Sequence, residues 1–357
     1  MASSNVTPLR VALVGCNMGR NQAIALENLK EYEFVAVCDI NEEAARNVAE
    51  TTEKAQVYLD YATMLNEVKP DIVVIATPTN THTPFTLQAI KAGVKGVYCE
   101  KPMATNLADA KKMVDECRNN NVKLAIGHQR RLDSIFLTAR KLIEEGVLGD
   151  VKLVRGSCQG DLLSDGTHTV DTILHLLGEK EVKWVFGQIE RKPPASKEEV
   201  VANKWAFTGH RYGHVVESGA MAIIEFEGGI RAEILTGDLI LPGSNYQEFE
   251  VIGTKGRLRR KGDSADPALL VAIDGVHGFE PVTIENSVGV LGFESVFLQF
   301  ADMINHDAAF PISGAHAIRS FEVLMAIFES SRLRKRISLP LNQDRFPLEI
   351  LIEEGQI

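Results

Sequence analysis

The sequence has no long apolar run, no long basic run and no closely spaced cysteine pair among its 357 residues. No apolar stretch approaches the roughly 20 residues that a membrane-spanning helix needs, and residues 1–8 lack the apolar segment of a secretory signal. We therefore predict a protein that makes no membrane contact, and we expect it in the cytoplasm.

The charge balance and the cysteines exclude further classes. Acidic residues outnumber basic residues by 48 to 38, which gives a formal net charge of −10. Nucleic acids and anionic surfaces are recognised by basic patches, so neither is expected as a partner. The five cysteines are an odd number without CxxC spacing, which argues against a disulfide framework and a zinc site. We predict buried free thiols in a reducing compartment, and no metal.

What the sequence does contain is an ordinary globular mix, with 45% hydrophobic and 24% charged residues. Its length favours two domains.

The first predicted domain begins with a strand at Leu9–Val14, a glycine turn, a helix over residues 20–30 and a second strand over residues 33–38. Strand, glycine turn, helix and strand followed by an acid is the outline of a dinucleotide-binding fingerprint.

The glycine turn supplies the first predicted cofactor-binding residues. Gly15 and Gly19 let the backbone approach a pyrophosphate, and Asn17 stands where the full GxGxxG pattern has a glycine. Asparagine tolerates the left-handed backbone that such a turn needs. Asp39 follows about 20 residues later, where a carboxylate binds the ribose hydroxyls. The predicted set at this turn is Gly15, Cys16, Asn17, Met18, Gly19, Asp39 and Ile40.

The residues after Asp39 predict which dinucleotide is bound. Ile40 and Asn41 are followed by Glu42 and Glu43, with no lysine or arginine close by. A 2′-phosphate would meet negative charge here and no cation. We therefore predict NAD rather than NADP.

Alternation of strands and helices continues and stops only after Gly149. A continuous apolar run at residues 71–76 predicts a strand buried on both faces, and a polar loop follows it. Another short strand ends at Glu100 and Lys101, because Pro102 has no N–H for a ladder. The carboxyl ends of parallel strands form the ligand edge of a doubly wound sheet. Predicted cofactor-binding residues on this edge are Thr77, Pro78, Asn80, His82, Glu100, Lys101, Gln129 and Arg130.

Lys101 is the predicted proton-transfer residue, because it lies at a strand end and is fixed by the following proline. The alternative is a solvated Glu–Lys pair at the start of a loop. The motifs in this half resemble those of the glucose–fructose oxidoreductase/inositol dehydrogenase/MocA family; they are Thr77–Pro78 with His82, Gly93, Glu100–Lys101–Pro102 and residues 127–131.

The resemblance covers most of the chain and implies a fold, α/β + α+β. An N-terminal Rossmann domain, residues 1–128, would bind NAD. A C-terminal α+β domain, residues 129–357, built on a large open, mostly antiparallel sheet, would bind substrate and form oligomers. The resemblance also implies nicotinamide-dependent oxidation of sugars or cyclitols, with Lys101 at the reacting carbon and Glu100 near the nicotinamide ribose.

The second half carries a predicted helix at residues 164–178 with His168, Asp171, Thr172 and His175 on one face. Three interpretations compete: a solvated polar stripe, a metal site through both histidines and Asp171, and a general base that faces Lys101 across a cleft. The resemblance favours the third. Its members place a catalytic histidine here with an acid four residues earlier. That position is Ser164 in this chain, so Asp165 and Asp171 are the candidate partners of His168.

Strand-like segments with glycine turns over residues 182–270 predict an antiparallel meander with one exposed face. Such a face favours a homo-oligomer, a dimer or tetramer. Apolar helices are predicted at residues 293–305 and 315–332, and terminal strands or a tail at residues 337–339 and 348–352. Predicted substrate-binding residues are Lys101, Arg130, His168, His175, Arg211, Tyr212 and His214. The last three lie in a loop for which an oligomer contact or a plain surface loop is the alternative.

Together these features predict an NAD-dependent dehydrogenase acting on a secondary alcohol of a sugar, sugar acid or cyclitol. One alternative keeps the fold but retains NAD and oxidises a sugar transiently, so that an eliminated group can leave. A second, non-enzymatic alternative is a dinucleotide-sensing protein.

Overall fold

The structure is a computed structural model that describes residues 7–52, 54–203, 206–275, 277–284 and 292–357. The strands are β1 Leu9–Val14, β2 Tyr32–Cys38, β3 Gln56–Tyr58, β4 Ile72–Ile75, β5 Gly96–Cys99, β6 Lys123–Ile126, β7 Val151–Cys158, β8 Val182–Glu190, β9 His210–Arg211, β10 His214–Val215, β11 Gly219–Phe226, β12 Arg231–Gly237, β13 Glu248–Gly253, β14 Gly256–Arg260, β15 Leu270–Ile273, β16 Glu280–Pro281 and β17 Ile337–Ser338. The α-helices are α1 Gly19–Glu27, α2 Glu42–Ala49, α3 Tyr61–Val68, α4 His82–Lys91, α5 Leu107–Asn119, α6 Ser134–Glu144, α7 Gly166–Leu176, α8 Lys197–Ala202, α9 Phe293–His306, α10 Gly314–Leu333 and α11 Pro347–Glu353.

The chain divides into two compact units that are not contiguous in sequence. The first unit comprises Met1–Thr105, Asp109–Leu132 and Leu291–Ile318. The second comprises Asn106–Ala108, Asp133–Val290 and Arg319–Ile357.

The first unit is a six-stranded sheet in the order β3-β2-β1-β4-β5-β6. Every neighbouring pair is parallel. Strands such as β4 and β5 are buried along their whole length, as expected of a sheet covered on both faces. The order reverses between β1 and β4, and ligands of doubly wound sheets bind at such a reversal. The predicted Rossmann fold is confirmed.

Aromatic residues from α9 complete the core of the first unit. Phe297 is fully buried, and its backbone carbonyl accepts a hydrogen bond of 2.7 Å from the Tyr32 hydroxyl. Its ring lies 5.1 Å from that of Tyr98, measured between centroids. Phe293 and Phe300 belong to the same cluster of buried residues. The helix predicted at residues 293–305 therefore forms, and it packs within the unit that contains the parallel sheet.

The second unit is a nine-stranded sheet in the order β16-β15-β14-β13-β7-β12-β11-β8-β17. Its neighbours are antiparallel except β7 and β12, which run parallel. The sheet is therefore mixed rather than the pure meander that local patterns suggest. Burial alternates along β8 and β11, and α7 packs on the sheet at β7 and β12.

The C-terminal segment differs from the sequence-based prediction. Residues 348–352 form part of helix α11, not a strand. Pro347 occupies the first turn, where its missing N–H costs nothing, and Leu348, Ile350 and Leu351 are buried. The short strand near residue 337 does form, and it pairs with β8.

The cysteines are all free and buried, as expected of small apolar side chains. Within the part of the chain that the structure describes, no helix is both long enough and apolar enough to span a membrane.

Candidate active site

The turn after β1 is tightly packed and depends on two glycines. Gly15 has φ +95°, and a Cβ there would lie 2.4 Å from the carbonyl oxygen of Ala76. A Cβ on Gly19 would lie 2.9 Å from the Leu13 methyl carbons. The first glycine therefore permits the turn, and the second lets α1 approach the sheet.

The carboxylate of Asp39, which follows β2, accepts hydrogen bonds from the backbone at this turn. Its Oδ2 accepts a hydrogen bond of 2.7 Å from the Cys16 N–H, and its Oδ1 accepts one of 2.9 Å from the Asn41 N–H. Burial, together with the Asp39 charge, raises the pKa of the Cys16 thiol to about 12. The thiol therefore stays protonated beneath the turn.

The turn fits a dinucleotide. Asn17 and Met18 are exposed ahead of α1, and the Met18 side chain has no oxygen to cap the first N–H groups of that helix. Those donors and the positive end of the helix dipole suit a phosphate. Ile40 is 95% exposed beside Asp39, which offers an apolar surface next to the carboxylate predicted to bind the ribose. The backbone of Gly15–Gly19 and the side chain of Asp39 would hold the pyrophosphate and the ribose.

The polar loop after β4 is held in place by His82. Its Nδ1 lies 2.9 Å from the Pro102 carbonyl oxygen, and its Nε2 lies 2.9 Å from that of Thr77. The buried imidazole therefore links the loop after β4 to the segment after β5. Pro78 and Asn80 are exposed in this loop. Direct contact of the cofactor with His82 stays a prediction.

Glu100 and Lys101 follow β5, and the Lys101–Pro102 peptide bond is cis. Both side chains are half-buried rather than solvated. The Glu100 carboxylate accepts a hydrogen bond from Gln22 Nε2 and another, of 3.2 Å, from the Lys101 N–H. Burial raises the pKa of Glu100, and the Lys101 charge and these two donors oppose that rise.

The segment after β6 carries the remaining predicted cofactor residues. Gln129 and Arg130 lie in the 3₁₀ turn Gln129–Leu132, where Gln129 is half-buried and Arg130 is buried. The first unit thus brings the predicted cofactor residues to the carboxyl ends of β1, β2, β4, β5 and β6, one edge of the sheet.

In the second unit, α7 is buried along its entire length. Asp171 Oδ1 accepts a hydrogen bond of 3.1 Å from the Ser320 hydroxyl, and His175 Nδ1 accepts one of 3.2 Å from Arg140. The solvated-stripe interpretation is therefore wrong. Among the described residues no group of three or more His, Cys, Asp or Glu is placed to hold a metal ion. His168 is buried on the same helix, and its convergence with Lys101 stays a prediction.

Asp165 forms hydrogen bonds with Arg211 and Tyr246, and its pairing with His168 stays a prediction. Its carboxylate accepts hydrogen bonds of 2.5 Å from Arg211 and 2.9 Å from the Tyr246 hydroxyl. Burial lowers the pKa of Arg211, but the charges of Asp165 and Asp161 outweigh it and raise the pKa overall. Arg211 is therefore a fixed cation shared by two carboxylates, and Tyr212 lies beside it with its ring 4.7 Å from the guanidinium.

Two family models match the chain. Residues 9–128 match the Gfo/Idh/MocA oxidoreductase family with its NAD-binding Rossmann fold, and residues 140–339 match the C-terminal alpha/beta domain of the same family. The chain belongs to the Gfo/Idh/MocA family.

Similar proteins agree with this membership. Myo-inositol 2-dehydrogenase of Thermotoga maritima is 26% identical over 70% of this chain and 74% of its own length. The NADP-dependent scyllo-inositol 2-dehydrogenase of Bacillus subtilis is 25% identical over 94% of this chain and 97% of its own. The crystal structure of an NAD-binding oxidoreductase from Klebsiella pneumoniae has a TM-score of 0.79 at 20% identity, covering 94% of this chain and 100% of that one.

Membership confirms several predictions: the fold class, a Rossmann domain of the NAD-binding type, and a dehydrogenase of the Gfo/Idh/MocA type. It does not decide between NAD and NADP, because the Bacillus relative uses NADP.

A buried polar cluster beside α7 combines the predicted residue His214 with Asp161 and Glu217, which the sequence analysis did not single out. His214 Nε2 lies 3.3 Å from the Ser164 hydroxyl and 4.0 Å from Asp161 Oδ1. Glu217 Oε1 accepts a hydrogen bond of 2.5 Å from the Leu162 N–H. Burial raises the pKa of Asp161, but hydrogen bonds from His214 and Ser164 outweigh it and lower the pKa overall. In this Gfo/Idh/MocA chain, Ser164 therefore contacts His214 where the family pattern implies an acid. In the sequence, the only sign of Asp161 and Glu217 is that each acid stands beside apolar residues.

Proposed function

We propose that this protein is an NAD-dependent dehydrogenase that oxidises a secondary alcohol of a sugar, sugar acid or cyclitol. The observation that carries the proposal is the position of Lys101. It follows β5 at the cofactor edge of the sheet, and its backbone is tied to the Glu100 carboxylate. Relatives that are inositol dehydrogenases support the substrate class.

The roles proposed for the chain concern binding and proton transfer. Bound NAD supplies the hydride acceptor. Lys101 takes the proton from the alcohol oxygen, or holds that oxygen by a hydrogen bond while His168 takes the proton. Arg130, His175, Arg211, Tyr212 and His214 are the proposed substrate-binding residues, and Asp165 or Asp171 supports His168.

The first experiment is a screen of sugars, sugar acids and inositols with NAD, read as NADH absorbance. We expect Lys101→Met to bind NADH normally and to lose turnover, because methionine keeps the apolar stem without the amine. The matched control is Lys95→Met, an exposed lysine paired with Asp71 at 2.9 Å, which should turn over normally. Turnover by Lys101→Met within about tenfold of wild type would remove Lys101 from the mechanism.

His168 is tested by the pH dependence of turnover. We expect His168→Gln to lose most activity and to flatten the pH–rate profile, since glutamine retains hydrogen bonds but not titration. His306→Gln is the control, because His306 is an exposed histidine on α9 that contacts Asp302. An unchanged profile in His168→Gln would argue against a proton-transfer role.

Mass spectrometry of the purified protein discriminates between the proposed reaction and its alternative. A readily exchanged cofactor with NADH release supports the dehydrogenase. Retained NAD with no NADH release would favour transient oxidation coupled to elimination. A protein that binds the dinucleotide but turns over no substrate would favour the dinucleotide sensor.

We also propose a preference for NAD over NADP. Both oxygens of Asp39 face backbone N–H groups of the turn region, and Glu42 and Glu43 follow it. A 2′-phosphate would therefore add negative charge beside carboxylates. Titration with both cofactors tests this, and equal or tighter binding of NADP would contradict it.

The proposed assembly is a cytoplasmic homo-oligomer, a dimer or tetramer. Phe186 is 44% exposed and Met221 is 48% exposed, on the neighbouring strands β8 and β11. A second copy covering these side chains would remove them from water. Light scattering after size-exclusion chromatography measures the assembly, and a monomer at micromolar concentration would refute it. The buried free thiols suit a reducing compartment, which cell fractionation tests.

A further inference from the structure

Gln22 is a buried amide whose position is not explained by packing alone. It lies on α1, three residues after Gly19, and has no exposed surface. Its Nε2 donates to Glu100 Oε1. Its own carbonyl oxygen is buried and has no hydrogen-bond partner among the residues that the structure describes. A buried polar atom left unpaired costs about 1–3 kcal/mol, so packing alone does not account for an amide at this position.

The orientation of the amide follows from the charge of its neighbour. An ionised carboxylate accepts hydrogen bonds and donates none, so Gln22 must turn its NH₂ group toward Glu100. The carbonyl oxygen then points away from Glu100.

The Glu100 carboxylate is confined on three sides. Gln22 binds Oε1, and the Lys101 N–H binds Oε2 at 3.2 Å. A Cβ on Gly127 would lie 2.9 Å from Glu100 Oε2 and 3.1 Å from the Tyr98 hydroxyl. One carboxylate therefore connects the helix that follows the cofactor turn to the backbone of Lys101, while the backbone at the end of β6 closes the remaining side.

We infer that Gln22 is a positioning residue, which sets the orientation and the charge of the Glu100 carboxylate beside Lys101. The inference rests on the proposed role of Lys101. A hydrogen bond donated to a carboxylate favours its charged form, whereas burial of Glu100 acts in the opposite direction. The charge and the N–H of Lys101 oppose the rise in pKa that burial causes, and the hydrogen bond from Gln22 adds to them while fixing the position of the carboxylate.

Two variants of Gln22 have opposite expected effects on the pH dependence of kcat. In Gln22→Leu the donor is lost, so Glu100 is protonated more easily and the acid limb of the profile moves to higher pH. In Gln22→Glu a protonated carboxyl at position 22 donates to Glu100 at low pH, and both acids repel at high pH. That variant should keep activity in acid and lose it in alkali.

The expected fall in kcat and the choice of control variant follow from the position of Gln22. We expect Gln22→Leu to lower kcat roughly 10- to 100-fold, the cost of about an ångström of misplacement, with little change in KM for NAD. Thr86→Val is the control, because Thr86 is a fully buried polar residue on α4. Its pH profile should match that of wild type.

Failure of this inference and failure of the proposed function would give different results. Opposite shifts in the two Gln22 variants support the inference. Parallel profiles in both variants, together with an inactive Lys101→Met, would overturn the inference alone, whereas an active Lys101→Met would overturn the proposed function. NADH fluorescence titration establishes that each variant is folded. If Gln22→Leu fails to fold, the alkaline loss expected in Gln22→Glu is the deciding measurement.

Discussion

Replacing Glu217 with glutamine should stabilise the second unit in neutral and weakly alkaline solution and leave it unchanged near pH 5. Glu217 is 2% exposed, and its Oε1 accepts a hydrogen bond from the Leu162 N–H. Its Oε2 is buried without a hydrogen-bond partner among the described residues. Burial first, and then the charge of Asp161, raise the pKa of Glu217 to about 8. Glutamine keeps the acceptor for Leu162 and removes the titration.

The sign follows from the two states of the carboxyl group. The unfolded chain releases this proton near the ordinary value of 4.5, whereas the folded unit keeps it until about pH 8. The folded state therefore holds the extra proton between these values, and its stability falls as pH rises through that window, by about 1.4 kcal/mol per pH unit. From pH 5.5 to 7.5 the loss is about 2.7 kcal/mol, or a fall in Tm of about 5–11 °C for a unit of this size.

Thermal unfolding of wild type and Glu217→Gln at pH 5.5, 6.5 and 7.5 measures the effect. Other groups titrate in both proteins, so the quantity to compare is the difference in Tm, which should grow with pH. Glu227→Gln, at an exposed position of the same unit, should parallel wild type. A constant difference between Glu217→Gln and wild type across the three pH values would refute the reasoning.

Three further predictions concern the first unit. Gly15→Ala places a methyl group 2.4 Å from the Ala76 carbonyl oxygen, so NADH affinity by fluorescence titration should fall at least about tenfold; normal affinity would contradict the close packing of the turn. Asp39→Ala removes the acceptor of the Cys16 N–H. Calorimetric titration should then show NAD binding weakened about 10- to 100-fold and NADP binding weakened less. An equal loss of affinity for both cofactors would count against a role of Asp39 in selectivity. Phe297→Ala should cost about 3–5 kcal/mol of stability, and an unchanged Tm would show that α9 is dispensable to the core.

The sequence predicted the regular elements well where the period of apolar residues was unambiguous. Strand β1 has the predicted bounds, and the ends of β2, α9 and α10 lie within one residue of the predicted ones, because the apolar pattern stops there. The segment 348–352 was ambiguous, since four apolar residues interrupted by Glu349 suit a strand or one turn and a half of helix. The parallel pairing of β7 with β12 joins strands about 80 residues apart, which no local pattern encodes.

The site was predicted less completely, for a physical reason. Residues at strand ends, such as Asp39 and Lys101, are determined by local sequence and fold class. Gln22 and Glu217 gain their properties from distant partners, Glu100 and Asp161, so burial and charge decide what they do. The hydrogen bond between Asp165 and Arg211 could not be predicted either, because the two residues are 46 positions apart in the sequence.

The contribution of α9 to the first core has a consequence for biosynthesis. Phe297 and Phe300 are synthesised more than 150 residues after Leu132 (297 − 132 = 165), yet both are fully buried within the unit that contains the parallel sheet. A nascent polypeptide that has reached only Leu132 would expose the surface on which they pack. The core of the first unit is therefore complete only once α9 has been translated, and chaperone binding to the exposed surface is expected in the interval.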